Sequence, residues 1–206
     1  DAVVAIDRAT GDLGFAVGDT EYGVTVADGR VYSGEFGVVA SDAATGQRRW
    51  EHDPGPDVEV PATPTVAHGR VYVVGREGTA VALAAEDGAE AWTRDLGAPA
   101  PLLPGTGDAR EYEAGPLAAD EATLYAVAGG AVRALNPTTG EPRWTRSVAD
   151  LAGVPRVGEE TLYVGREGEL IALSTADGSE RWVESVRGMP SAAVVADGTV
   201  YVGDGA

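Results

Sequence analysis

Short apolar runs such as GVTVA, RVYVV, TLYVG and AVVA recur along the chain, separated by polar stretches that contain glycine and aspartate. Valine and tyrosine pack well on a pleated surface, and no apolar period of three to four residues is sustained, so the runs predict strands. The strands come in fours. In one stretch they fall at about 22–27, 30–33, 37–42 and 47–52, with an Asp28-Gly29 turn between the first two. Asp197-Gly198 gives the same hairpin signal, and Gly69 and Gly158 occupy related positions. The pattern predicts an all-β chain.

The runs are set in a repeat. Val or Leu precedes Tyr32, Tyr72, Tyr125, Tyr163 and Tyr201. Turn glycines follow at Gly11, Gly46, Gly88, Gly140 and Gly178, and four residues beyond each stands an aromatic: Phe15, Trp50, Trp92, Trp144 and Trp182. One repeat position thus accounts for all 4 tryptophans. A four-stranded unit of about 40 residues repeated around an axis is the pattern of a β-propeller blade. If the chain ends are joined, Tyr201 to Gly11 spans 16 positions, against 14, 16, 15 and 15 within intact repeats. The expectation is therefore one propeller domain over 1–206, with repeats at about 18–54, 55–98, 113–148 and 149–187. Segments 188–206 and 1–17 would supply two strands each to a composite fifth blade. An arc cut from a larger propeller at equivalent points would show the same phase.

The phrase Ala-x-Asp-x-x-Thr-Gly-x-x-x-Trp resembles the repeat of the quinoprotein-like (PQQ-repeat) propellers, a family that includes pyrroloquinoline-quinone dehydrogenases and BamB-like noncatalytic propellers. It stands here as Ala5, Asp7, Thr10, Gly11 and Phe15; as Ala40, Asp42, Thr45, Gly46 and Trp50; and as Ala134, Asn136, Thr139, Gly140 and Trp144. Looser copies are Ala82, Ala84, Asp87, Gly88 and Trp92, and Ala172, Ser174, Asp177, Gly178 and Trp182. The resemblance implies that each tryptophan docks between adjacent blades, against the neighbouring turn. A large ring filling the wedge between radial sheets is the same role in physical terms. The glycines suit turns of positive φ, and Phe15 keeps the apolar plate but loses the indole donor. The family's dehydrogenases are implied to have eight blades, an ion held by Glu, Asn and Asp, a catalytic Asp and often a vicinal disulfide. With no cysteine and with Asn136 in the usual Asp slot, no residue here carries over as catalytic, cofactor-binding or metal-binding, and no cofactor is expected.

Other chemistry is sparse. His52 and His68 are the 2 histidines, each expected in an exposed turn or loop outside any ligand-spaced cluster. No G-x-S-x-G elbow or D-x-D-x-D-G loop occurs. Arg-Glu-Gly at 76–78 and 166–168 reads as polar turns between second and third strands. Two segments depart from the repeat: the acidic, proline-rich stretch after Trp50, and an insertion from Leu96 to Pro116. Insertions in repeat proteins gather on one face and often bind. Leu102, Leu103, Arg110, Glu111 and Tyr112 are the candidate partner contacts, an apolar centre with a charged rim.

Charge narrows the partner. The formal net charge is −18, and every one of the 15 basic residues is arginine. Such a surface repels phosphate backbones and anionic headgroups, so neither nucleic acid nor membrane insertion is expected. No apolar run reaches the length of a membrane span. Acids spread over all repeats, without lysine, suit a surface hydrated in concentrated salt and are similar to haloarchaeal members of the repeat family. The expected function is a noncatalytic scaffold that binds another protein, extracellular or in the cell envelope, with the cytoplasm of a high-salt organism as the other location. The alternatives are a degenerate or active quinone-dependent dehydrogenase-like domain, or a sensor propeller of a larger protein.

Overall fold

The computed structural model describes residues 2–17, 23–34, 37–53, 63–75, 78–97 and 117–203. Among the described residues there are strands joined by turns, bends and irregular connections, and no helix. An N-terminal hairpin pairs β1 (Val3–Ile6) with β2 (Leu13–Val17). Blade 1 follows as β3 (Val24–Ala27), β4 (Arg30–Gly34), β5 (Val38–Asp42) and β6 (Arg48–His52). Blade 2 is β7 (Thr65–Ala67), β8 (Arg70–Val74), β9 (Thr79–Ala84) and β10 (Glu90–Asp95). Blade 3 is β11 (Leu117–Ala119), β12 (Leu124–Ala128), β13 (Ala131–Leu135) and β14 (Pro142–Ser147). Blade 4 is β15 (Leu151–Gly158), β16 (Thr161–Arg166), β17 (Glu169–Ser174) and β18 (Glu180–Ser185). A C-terminal hairpin pairs β19 (Val194–Ala196) with β20 (Thr199–Tyr201). Each blade is an antiparallel sheet whose strands lie in chain order. The chain is thus an all-β propeller with strands for five four-stranded blades, four complete and the fifth divided between the terminal hairpins.

Local chemistry explains the strand breaks. Between β3 and β4, Asp28 and Gly29 both take positive φ, 48° and 72°, which matches the twist of a two-residue hairpin. The third and fourth strands are joined by a side-chain-closed turn. Asp42 Oδ1 accepts the N–H groups of Ala44 at 3.1 Å and Thr45 at 3.0 Å. Asp7 closes the same turn onto Ala9 and Thr10, both at 2.8 Å, and Asn136 closes it onto Thr138 at 2.8 Å. Where Ala84 and Ser174 replace the acid, Asp87 and Asp177 shift the capping along and accept from Ala89 and Ser179, each at 3.0 Å. Arg49, 2.5 Å from Asp42 Oδ2, and the Thr45 donors hold that carboxyl well below the usual carboxylate range. After each turn the register shifts by one residue, and this brings the aromatic opposite a small residue.

The core lies between blades rather than inside one. Tyr32, Val38 and Trp50 of blade 1 meet Val71, Val73 and Leu83 of blade 2. Blades 2 and 3 share Tyr72, Trp92, Leu117 and Leu124, and blades 3 and 4 share Tyr125, Val132, Leu162 and Ile171. Face-to-face burial of this kind is the main stabilising term available to stacked sheets.

Candidate interaction surface

Each complete blade carries a row of three residues across its outer strands. Tyr32 stands opposite Ala40, which stands opposite Trp50; Tyr72, Ala82 and Trp92 repeat the row, as do Tyr125, Ala134 and Trp144, and Tyr163, Ala172 and Trp182. Because the middle residue is only a methyl, the two rings meet above it at centroid distances of 5.9, 5.9, 6.1 and 5.9 Å. The aromatic then crosses to the next blade. The indole N–H of Trp50 donates to Ala85 O at 3.1 Å, that of Trp92 to Pro137 O at 3.0 Å, and that of Trp144 to Thr175 O at 2.9 Å. The acceptor is always three residues before the turn glycine, Gly88, Gly140 or Gly178. Phe15 lies against Gly46 in the same way without a donor.

Polar pairs fasten the rim of two joints. Arg94 donates to Thr139 O at 3.0 Å and to Glu141 Oε1 at 2.7 Å. Arg146 donates to Gly178 O at 3.2 Å and to Glu180 Oε2 at 2.9 Å. The sequence signal of this pairing is a basic residue two after the tryptophan and a glutamate one or two after the next blade's glycine. Burial pushes the hydroxyls of Tyr72 and Tyr125 up to about 12. Tyr125 also donates to Asp120 Oδ2 at 2.6 Å, and that neighbouring carboxylate disfavours the phenolate.

The histidines depart from expectation. His68 is part-buried, its Nε2 2.8 Å from Asp120 O and its Nδ1 3.3 Å from the Tyr72 hydroxyl, so it links blade 2 to blade 3. His52 ends β6, half-buried, and its Nε2 has no hydrogen-bond partner among the described residues. The His68 contacts are not legible in the sequence, because contact across a joint depends on which turn faces which strand. Glu167 and Gly168 form the turn between β16 and β17. Arg76 and Glu77 lie outside the described residues, as do Leu102, Leu103, Arg110, Glu111 and Tyr112.

Where inner strands converge there is a cavity of about 500 Å³, lined in part by Thr25, Thr65, Leu117, Ala119, Val154 and Arg156. Its walls are mainly hydroxyl and methyl groups, with Arg156 as the charged member. Among the described residues no group of three or more His, Cys, Asp or Glu could hold a metal ion. No helix there is long and apolar enough to cross a membrane.

Among the described residues, the terminal repeat positions are more open than the inner ones. Gly11 has nothing within 4 Å of where a β-carbon would stand, whereas Gly46, Gly88, Gly140 and Gly178 each carry a ring. Trp182 is 40% exposed, against 6% for Trp92. Tyr201 is 59% exposed, although its counterparts Tyr32, Tyr72 and Tyr125 are fully buried.

These features define a β-propeller of quinoprotein-like repeats. The family model described as outer membrane protein assembly factor BamB matches residues 1–154 and 128–206, and the chain belongs to that family. Among curated proteins none matches. Of solved structures, BamB from Moraxella catarrhalis is similar at 23% identity and a TM-score of 0.74, over 97% of this chain and 66% of that one. A quinohemoprotein alcohol dehydrogenase from Pseudomonas putida HK5 is similar at 23% identity and a TM-score of 0.66, over 90% of this chain and 39% of that one. The computationally designed protein Ika8 is similar at 16% identity and a TM-score of 0.77, over 98% of this chain and 62% of that one. The chain therefore spans less than two thirds of the length of each, and the likeness is one of fold.

Proposed function

We propose that the chain is a noncatalytic propeller scaffold that holds loops in place for contact with another protein, in the cell envelope or outside the cell. One observation carries this reading: between the complete blades, the recurring tryptophans and turn glycines are taken up by the joints. The aromatics face the turn glycines, rim arginines add to two of these joints, and among the described residues that line the cavity Arg156 stands among hydroxyls and methyls rather than in an acid and base pair. Membership of a family described as an assembly factor supports the same role. The contact element in this reading is the insertion, with Leu102, Leu103 and Tyr112 as the apolar centre and Arg110 and Glu111 as the rim. The 206 residues act as one unit, whose acidic, lysine-free surface suits concentrated salt.

Replacing residues 98–116 with a short Gly-Ser linker tests the contact. Photo-crosslinking in the native cell should then lose the partner adduct while the melting temperature stays unchanged; an adduct of undiminished yield would exclude the insertion. Incubation with pyrroloquinoline quinone, Ca²⁺ and primary alcohols should give no dye reduction above the buffer blank. Turnover would overturn the noncatalytic reading.

A further inference from the structure

The row of tyrosine, alanine and tryptophan has a fourth member on the inner strand. Paired with each tyrosine across the first hairpin of its blade stand Thr25 against Tyr32, Thr65 against Tyr72, Ala118 against Tyr125 and Arg156 against Tyr163. All four line the same cavity of about 500 Å³. One repeat position thus forms a level of the cavity wall, with two hydroxyls, a methyl and a guanidinium contributed by four blades.

Blade 4 is built differently at this level. Its inner strand β15 has 8 residues, against 4 in β3 and 3 in β7 and β11. Ala152 pairs with Gly165 and Arg156 with Tyr163, so the register with β16 slips between them. Pro155, buried and unable to donate to the ladder, sits in that bulge. The inner strands of blades 1 to 3 pair without a slip. A bulge bends an edge strand and re-aims its side chains, and here both Val154 and Arg156 reach the cavity.

The chemistry of this wall specifies a ligand. Arg94 and Arg146 are held by glutamates, whereas the Arg156 guanidinium has no acid partner among the described residues. Thr25 already donates its hydroxyl to Pro64 O at 2.5 Å, but the Thr65 hydroxyl is a donor without a partner among the described residues. Each inner strand is also the edge of its sheet, with alternate N–H groups outside the ladder. Among the described lining residues there is no acid and no aromatic ring, so a cation meets no counter-charge and a flat cofactor no stacking surface. The net charge of −18 opposes a dianion twice as strongly as a monoanion, and the described wall supplies one cation. Leu117, Val154 and Val157 give methyl surface to a hydrocarbon body. We propose that this cavity is a binding site for a small monocarboxylate with an apolar body, its carboxylate held by the Arg156 guanidinium and the Thr65 hydroxyl.

Isovalerate is the probe, with its neutral amide and inorganic sulfate as controls. In an NMR titration, isovalerate should shift the Arg156 Nε–H and the Thr65 and Ala118 amide signals saturably, and both controls should bind more weakly by about tenfold or more. Arg156 is exposed, so Arg156→Gln should keep the parent melting temperature while losing about 10- to 100-fold in affinity, the effect of removing a charge-assisted hydrogen bond. Arg156→Lys keeps the charge without the planar fork and should fall between the two. Thr65→Val should weaken binding by a smaller factor. Three results overturn the proposal: shifts that rise without saturation or spread over the surface arginines, amide or sulfate binding as tight as that of isovalerate, or unchanged affinity in Arg156→Gln. Should that variant unfold, parent-like affinity in both Arg156→Lys and Thr65→Val overturns it instead.

Discussion

Trp92 lies against Gly140 so closely that a β-carbon on that glycine would stand 2.8 Å from both Cδ2 and Cε3 of the indole. Two constraints meet at this position. The backbone is left-handed, with φ at 71°, and the ring above it leaves no room. Gly140→Ala should therefore cost about 1 to 2 kcal/mol from the left-handed conformation and about 1 to 3 kcal/mol more from overpacking. Gly11→Ala meets the first constraint alone, because its φ is 78° with nothing nearby. Urea denaturation of both variants should show Gly140→Ala as the more costly of the two by more than about 1 kcal/mol.

Truncating the rings separates buried positions from open ones. Trp92 is buried, contacts Tyr72 and donates across the joint, so Trp92→Ala should destabilise by about 3 to 5 kcal/mol. Trp182 keeps its contact with Tyr163 but is more exposed, and Trp182→Ala should cost less than half as much. Equal losses in guanidinium titrations of the isolated chain would mean that Trp182 is docked in solution.

Strand type, turn position and the grouping in fours were readable because each rests on residues close in sequence. Asp28-Gly29 specifies its hairpin, and Asp42 with Thr45 specifies the next turn, by hydrogen bonds spanning two or three positions. The recurring row of tyrosine, alanine and tryptophan was visible as spacing, although its packing over the alanine methyl emerged only from the register shift. What the sequence hid were contacts across a joint, such as His68 to Asp120, 52 residues apart. Those depend on the rotation between sheets, which no local pattern encodes.

Alkali should loosen blades 2 to 4 first. Tyr72 and Tyr125 have folded pKa values of about 12, against about 10 in an unfolded chain. The shift is upward, so the stability it represents is fully present below pH 10 and is lost as pH rises from there through 12. Circular dichroism followed from pH 9 to 12, together with absorbance at the phenolate band, should show tyrosine ionisation coinciding with unfolding. Tyr72→Phe gives up a hydrogen bond to Pro137 O, worth about 1 kcal/mol at neutral pH, but should flatten the alkaline slope.

Salt acts on the surface in two opposing ways. It screens the rim pairs Arg94–Glu141 and Arg146–Glu180, whose side chains are 34–66% exposed and each worth under about 1 kcal/mol. It also screens the mutual repulsion of a chain with net charge −18, a term that acts over the whole surface and grows with charge squared. The second effect is the larger, because a few exposed pairs cannot offset an excess of 18 negative charges. Calorimetry should show the melting temperature rising steadily from low to molar NaCl, and Arg94→Ala should leave that slope unchanged while lowering stability by under about 1 kcal/mol. A melting temperature that fell with added salt would place the stability of this surface in its ion pairs and remove the physical basis for reading its acidity as salt adaptation.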